Sequence, residues 1–131
     1  MKLLLDTHIW LWSLLEPKRL SRRVLKELAS AGNELWLSPI STWEVVALCE
    51  KNCLVVNEET GKWIDKALSA VGLREAPLTH DVAVESRSIQ LPHRDPADKF
   101  LVATAKVFDL TLVTADRNLI AAKGISVLAN R

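Results

Sequence analysis

Residues 93–116 read HRDPADKFLVATAKVFDLTLVTAD, and their order of residue types points to the fold class. Asp95 followed by Pro96 is a helix opening. The aspartate oxygen takes an orphan backbone N–H, and proline sits where its missing N–H costs nothing. The helix continues through ADKFLVATAKVF (97–108). LTLVT (110–114) then reads as a strand, and Asp116 follows it directly as a cap for a short helix. Helix, strand, acid, helix is a repeating step of an α/β chain.

The rest of the chain repeats that step. KLLL (2–5) is a short apolar run ending at Asp6, a buried strand. THIWLWSLLE (7–16) has helical potential until Pro17. Ser21 caps RRVLKELASA (22–31), which Gly32 stops, and ELWLS (34–38) is a second strand. Ser38 caps the next helix, Pro39 takes its first position, and ISTWEVVALCEKN (40–52) continues it. A further helix runs near 58–71 and stops at Gly72. LREA (73–76) is a weak third strand, and Thr79 caps HDVAVESRSI (80–89). Gly124 ends the helix that Asp116 opens, and ISVL (125–128) closes the chain as a strand. Strands alternating with helices imply a parallel sheet of about five strands with helices on both faces. No linker divides the chain, so residues 1–131 form one α/β domain.

The totals agree. A chain of 131 residues with 49% hydrophobic and 25% charged residues suits one globular domain. The formal charge of +1 announces no global basic field, so any nucleic acid must be held by local patches or a bound cation. No apolar run approaches the ~18 residues of a membrane span. Asp6 and His8 interrupt the apolar start, and no small-residue cleavage site follows, so the chain reads as cytoplasmic with no membrane role. Cys49 and Cys53 stand four apart on a helix or its end. Helical i,i+4 Cβ atoms lie ~6 Å apart, too far for a relaxed disulfide, so both read as reduced thiols.

In a parallel sheet, ligands bind beyond the carboxyl ends of the strands. Asp6 ends the first strand, Glu44 lies early in the helix after the second, Asp98 lies in a first helical turn at the same edge, and Asp116 follows the fourth strand. Each acid also has an ordinary structural role. Asp6, Asp95 and Asp116 suit caps, Asp98 complements a helix dipole, and Glu44 could face solvent. Together they are harder to dismiss. Two unit charges ~5 Å apart at an effective dielectric of ~20 repel by about 3 kcal/mol, so four gathered carboxylates need a cation. Oxygen ligands select hard Mg²⁺, with Mn²⁺ an alternative, over zinc. His8, His80 and His93 are scattered without paired spacing. The tryptophans at 10, 12, 36, 43 and 63 read as core or partner-facing, and Arg22, Arg23 and Lys26 as a solvated helix face.

Four segments in this order resemble PIN-domain ribonucleases, specifically the VapC-like toxins of bacterial toxin–antitoxin pairs. They are LLLDTHIWLW (3–12), LSPISTWEVV (37–46), LPHRDPADKFLVATA (91–105) and LVTADRNL (112–119). The resemblance implies a PIN-like three-layer α/β/α domain and a Mg²⁺-dependent endoribonuclease that hydrolyses RNA phosphodiester bonds. It makes Asp6, Glu44, Asp98 and Asp116 the catalytic, metal-binding acids. Ser41, Thr114 and Asp95 become supporting groups. His93, Arg94, Lys99 and Arg117 become the cations that meet RNA. Lys99 stands where the family usually has Arg, which keeps the charge and loses the bidentate fork. A homodimer and a small antitoxin covering the acidic pocket are also implied.

Other readings fit the residues less well. A haloacid-dehalogenase-type phosphotransferase needs an aspartate at position 8, which is His8. A receiver domain needs an acidic pair near the end of the first strand and a lysine after a late one; Asp6 stands alone, and LVTAD has no such lysine. A housekeeping PIN-type RNA-processing nuclease, or a non-catalytic PIN-fold binding protein, is the alternative within the family.

Overall fold

The computed structural model describes residues 1–131. Five strands, β1 (Lys2–Leu5), β2 (Glu34–Leu37), β3 (Leu73–Glu75), β4 (Thr111–Thr114) and β5 (Ser126–Ala129), form one sheet in the order β3-β2-β1-β4-β5. Every neighbouring pair is parallel. The connections carry α1 (Thr7–Leu15), a 3₁₀ turn (Pro17–Arg19), α2 (Arg22–Ala29), α3 (Pro39–Glu50), α4 (Thr60–Ser69), α5 (His80–Ser86), α6 (Pro96–Val107) and α7 (Arg117–Ile120).

Successive residues of a strand point to opposite faces, and both faces here are apolar. Leu3, Leu5, Leu37 and Val113 join Ile9, Trp10, Val24, Val45 and Ile64 in the core beneath α1–α4. Leu4 and Leu112 join Val82, Leu101, Val102 and Leu119 in the core beneath α5–α7. Leu3, Leu4 and Leu5 are at most 1% exposed, and burying each contributes roughly 1.5–3 kcal/mol. The result is the expected three-layer α/β/α domain.

Local chemistry sets the element ends. Ser21, Ser38, Thr79, Asp95 and Asp116 cap their helices through side-chain oxygens, as their positions predict. α1 stops at Leu15 because Pro17 disfavours a helical residue before it, and Glu16 takes φ −143°, ψ 64°. Two boundaries differ from expectation by three residues or more. α5 ends at Ser86 and not near Ile89. The short helix after Asp116 ends at Ile120, and Gly124, at φ +82°, serves the turn into β5 instead. Cys49 and Cys53 are free thiols. No helix is long and apolar enough to cross a membrane.

The chain steps outward from β1 to β2 and β3, then returns to the other side of β1 for β4 and β5. The order therefore reverses between β1 and β4. A switch of this kind leaves a crevice outside the carboxyl ends of the two strands.

Candidate metal centre

Asp6 stands at that crevice. Its backbone N–H continues the ladder by donating to the Val113 carbonyl at 3.0 Å, and its carboxylate is turned over the end of the sheet. The Thr7 N–H donates to its Oδ1 at 2.7 Å, which caps α1. The Thr114 hydroxyl, at the end of β4, donates to its Oδ2 at 2.7 Å. Thr114 Oγ1 in turn accepts the Asp116 N–H at 3.1 Å. Asp6 is only 8% exposed.

Glu44 arrives on α3. The Thr7 hydroxyl donates to its Oε1 at 2.7 Å and lies 2.9 Å from Oγ of the fully buried Ser41. A hydroxyl has one proton, so Thr7 serves the carboxylate and takes its own support from Ser41. Asp98 comes from the first turn of α6, and its Oδ2 lies 2.9 Å from His93 Nε2. Asp116 caps α7, with Oδ1 accepting from Asn118 and Leu119 N–H groups at 2.8 and 3.4 Å. One ligand atom each from His93, Asp98 and Asp116 fall within 4.8 Å of one another.

Asp6, Glu44, Asp95, Asp98 and Asp116 line one cavity of about 430 Å³. The four acids singled out from the sequence are therefore brought together, with Asp95 beside them. Asp95 does what its place before Pro96 predicts, its Oδ1 accepting the Ala97 N–H at 3.0 Å. Asn caps about as well as Asp, so Asp95→Asn should leave the melting temperature nearly unchanged. Asp95→Ala should cost ~1 kcal/mol, read from paired thermal melts. Equal losses in both variants would show that the cap is not what Asp95 contributes.

The crowding is visible in the acidities. Burial, then the charges of Asp95 and Asp6, push the Asp98 carboxyl up to about 7, against the weaker opposing pull of His93. Burial raises Asp6 as well, in spite of its hydrogen bonds from Thr114 and Thr7. Burial raises Glu44 too, again against the Thr7 hydrogen bond, with Asp6 adding to the rise. Carboxylates that resist ionising together in one cavity suit a divalent cation, which reverses the sign of each neighbour's effect. The donors are oxygens apart from the His93 nitrogen at the edge, a set that fits a hard ion. The residues present thus form an acidic group able to hold a divalent metal.

Several participants were not legible beforehand. Thr7 orders Glu44, and His8, Trp12 and Arg19 form another part of the cavity wall. His8 has its partner at i+4, where its ring lies 5.8 Å from that of Trp12. His93, read as a phosphate contact, sits on Asp98. Arg94, Lys99 and Arg117 do not line the cavity.

The family model of the PIN domain matches residues 3–125. The chain is 33% identical over 119 residues to a protein of Mycobacterium tuberculosis named Ribonuclease VapC22, covering 88% of each. Its fold is similar to VapBC2 from Rickettsia felis, solved bound to a DNA fragment from their promoter. The TM-score is 0.75 at 17% identity, over 98% of each chain. It is also similar to a DNA-bound VapBC from Salmonella typhimurium, with a TM-score of 0.71 at 15% identity over 100% and 99% of the two chains. Both likenesses are of fold. With the family model running nearly end to end, and an acidic cavity at the sheet's switch point, the chain belongs to the PIN domain family.

Proposed function

We propose that the chain is a divalent-metal-dependent endoribonuclease and the toxin of a toxin–antitoxin pair. The observation that carries this reading is the convergence of carboxylates from separate elements on one cavity, in a chain one third identical to a named ribonuclease.

Asp6, Glu44, Asp98 and Asp116 would hold Mg²⁺, or Mn²⁺ in its place. When bound, the ion supplies charge for the scissile phosphate and lowers the pKa of water. The remaining work falls to the chain. Thr114 and Thr7 hold Asp6 Oδ2 and Glu44 Oε1 in fixed directions, and Ser41 braces Thr7 from behind, so the acids need no rearrangement when substrate arrives. Asp95 adds negative charge and fixes the start of α6. His93, with Nε2 2.9 Å from Asp98, would add positive charge beside it when protonated. Arg94, Lys99 and Arg117, outside the cavity wall, would meet phosphates farther along the strand. Lys99 does so as a point charge without a bidentate fork.

The surface has room for an antitoxin and for a second copy of the chain. Leu11, Trp12, Leu15, Leu48 and Leu54 line an apolar groove that shares His8 and Trp12 with the acidic cavity. A short apolar antitoxin segment lying there would reach the acids. Trp43, 64% exposed beside Glu44 in the chain, and Leu15, 47% exposed, offer apolar surface for pairing with a second copy.

Purified chain, freed of any antitoxin, should cut RNA with Mg²⁺ or Mn²⁺, and EDTA should abolish cutting. Attack by water on phosphorus should leave 5′-phosphate and 3′-hydroxyl ends, read by end-labelling or mass spectrometry. Products ending in 2′,3′-cyclic phosphate would mean attack by the RNA's own hydroxyl and would refute the hydrolytic mechanism.

A further inference from the structure

The cavity is not uniformly acidic. Its wall carries one guanidinium, that of Arg19, which comes from the 3₁₀ turn Pro17–Arg19. The Arg19 Cζ lies 4.2 Å from the centroid of the Trp12 ring, so the guanidinium rests on the indole. His8 and Trp12, one turn apart on α1, share a face, and their rings lie 5.8 Å apart. Glu16 is the nearest anion to Arg19, at 3.5 Å, and both side chains are more than half exposed. That ion pair is too loose to hold the arginine, whereas stacking on Trp12 restricts its planar head without using its N–H groups.

We propose that Arg19, braced on Trp12, grips a phosphate of the RNA strand next to the one being cleaved, and so sets the strand's register over the acids. This rests on the ribonuclease reading given above. A strand crossing five carboxylates brings negative charge toward negative charge, and a cation held by those acids would compensate the scissile group first. The neighbouring phosphate needs its own donor, and a guanidinium offers two parallel N–H groups to phosphate oxygens. A protein partner is the other ligand for this wall. An apolar segment in the neighbouring groove offers a guanidinium nothing to hold, whereas RNA carries a phosphate at every nucleotide, so the exposed Arg19 head favours the polyanion.

Arg19 acts by positioning, and the test reads that role. Affinity is measured by fluorescence anisotropy with a short labelled single-stranded RNA of randomised sequence, in the Asp98→Asn background, where binding does not depend on cutting. Adding Arg19→Gln should raise Kd about tenfold. It should also flatten the slope of log Kd against log salt by about 0.7, the contribution of one phosphate contact on a single strand. Arg19→Lys should restore the slope and only part of the affinity, because the charge returns without the planar fork. Trp12→Leu, with Arg19 intact, should weaken binding while keeping the slope, and Trp12→Phe should behave as wild type. In chains with Asp98 restored, Arg19→Gln should need more RNA for half-maximal cutting and should scatter the cut positions on an RNA of defined sequence, because the strand's register is lost. A structural defect would not produce this pairing of slope with charge.

An unchanged Kd and slope in Arg19→Gln would overturn the proposal. So would a loss confined to binding of an antitoxin peptide, with RNA affinity intact. A wild-type chain that shows the full binding pattern and cuts no RNA would sink the nuclease reading and leave this contact standing.

Discussion

Asp98→Asn is expected to lower RNA cleavage by about 10²–10³-fold and, in EDTA at neutral pH, to melt no lower than the wild type. The first effect follows from removing a negative oxygen from the acidic group. The second follows from the acidity of Asp98, which the fold raises from 3.8 to about 7. A carboxyl with a raised folded-state pKa makes the folded protein the better proton binder between those values. Stability of the metal-free wild type should therefore fall as pH rises from about 4 to 7, by on the order of 3–4 kcal/mol if Asp98 carries the whole shift. Asparagine cannot ionise, so the variant should lack that slope. Added Mg²⁺ should reverse the ranking, since an ion at ~100 times its Kd stabilises the folded state by about 2.7 kcal/mol and the variant binds it less well. Thermal melts across this pH range, with and without Mg²⁺, beside an RNA-cleavage assay, check all three. If Asp98→Asn cuts RNA normally, or melts far below wild type in EDTA at pH 7, the assignment of Asp98 to the metal is wrong. If Asp95→Asn is the dead enzyme instead, the cap and the ligand have been exchanged.

Trp10→Ala should cost 3–5 kcal/mol, roughly a third to a half of the stability of an ordinary domain, with a fall of about 10–20 °C in melting temperature. Trp10 is fully buried on α1, with the Trp63 ring 6.5 Å away. Together with Ile9 it docks α1 against the sheet, and Asp6 caps α1, so losing the indole should loosen Asp6 as well as the core. Its buried Nε1 has no hydrogen-bond partner. Trp10→Phe therefore loses volume and sheds an unsatisfied donor, and should cost less than about 2 kcal/mol. Urea unfolding of both variants is the measurement. Equal costs for Phe and Ala would mean that the indole N–H matters after all, and a cost below 1 kcal/mol for Ala would mean that α1 is held by something else.

Local rules made much of this molecule readable from its residues. A cap needs only the next turn of backbone, so Ser21, Ser38, Thr79, Asp95 and Asp116 could be placed one by one. Apolar runs such as KLLL (2–5) could be read as strands, and alternation of strand and helix then implied a parallel sheet and the edge at which the acids would gather. What no local rule contains is the strand order. That β4 lies against β1 brings the Thr114 hydroxyl to Asp6 across most of the chain, and only packing of both sheet faces decides it. The same holds for Thr7, whose hydroxyl looks like any helix residue until α3 sets Glu44 beside it. It holds for the tryptophans, where Trp10 is buried and Trp43 largely exposed although both sit in apolar helices. Arg19 became a wall of the cavity because the turn after Pro17 folds it onto Trp12. Residue type and spacing along the chain determined which groups could bind a metal. Their acidities, their hydroxyl partners and the cation facing them depend on distances between segments remote in sequence, and those distances exist only in the folded protein.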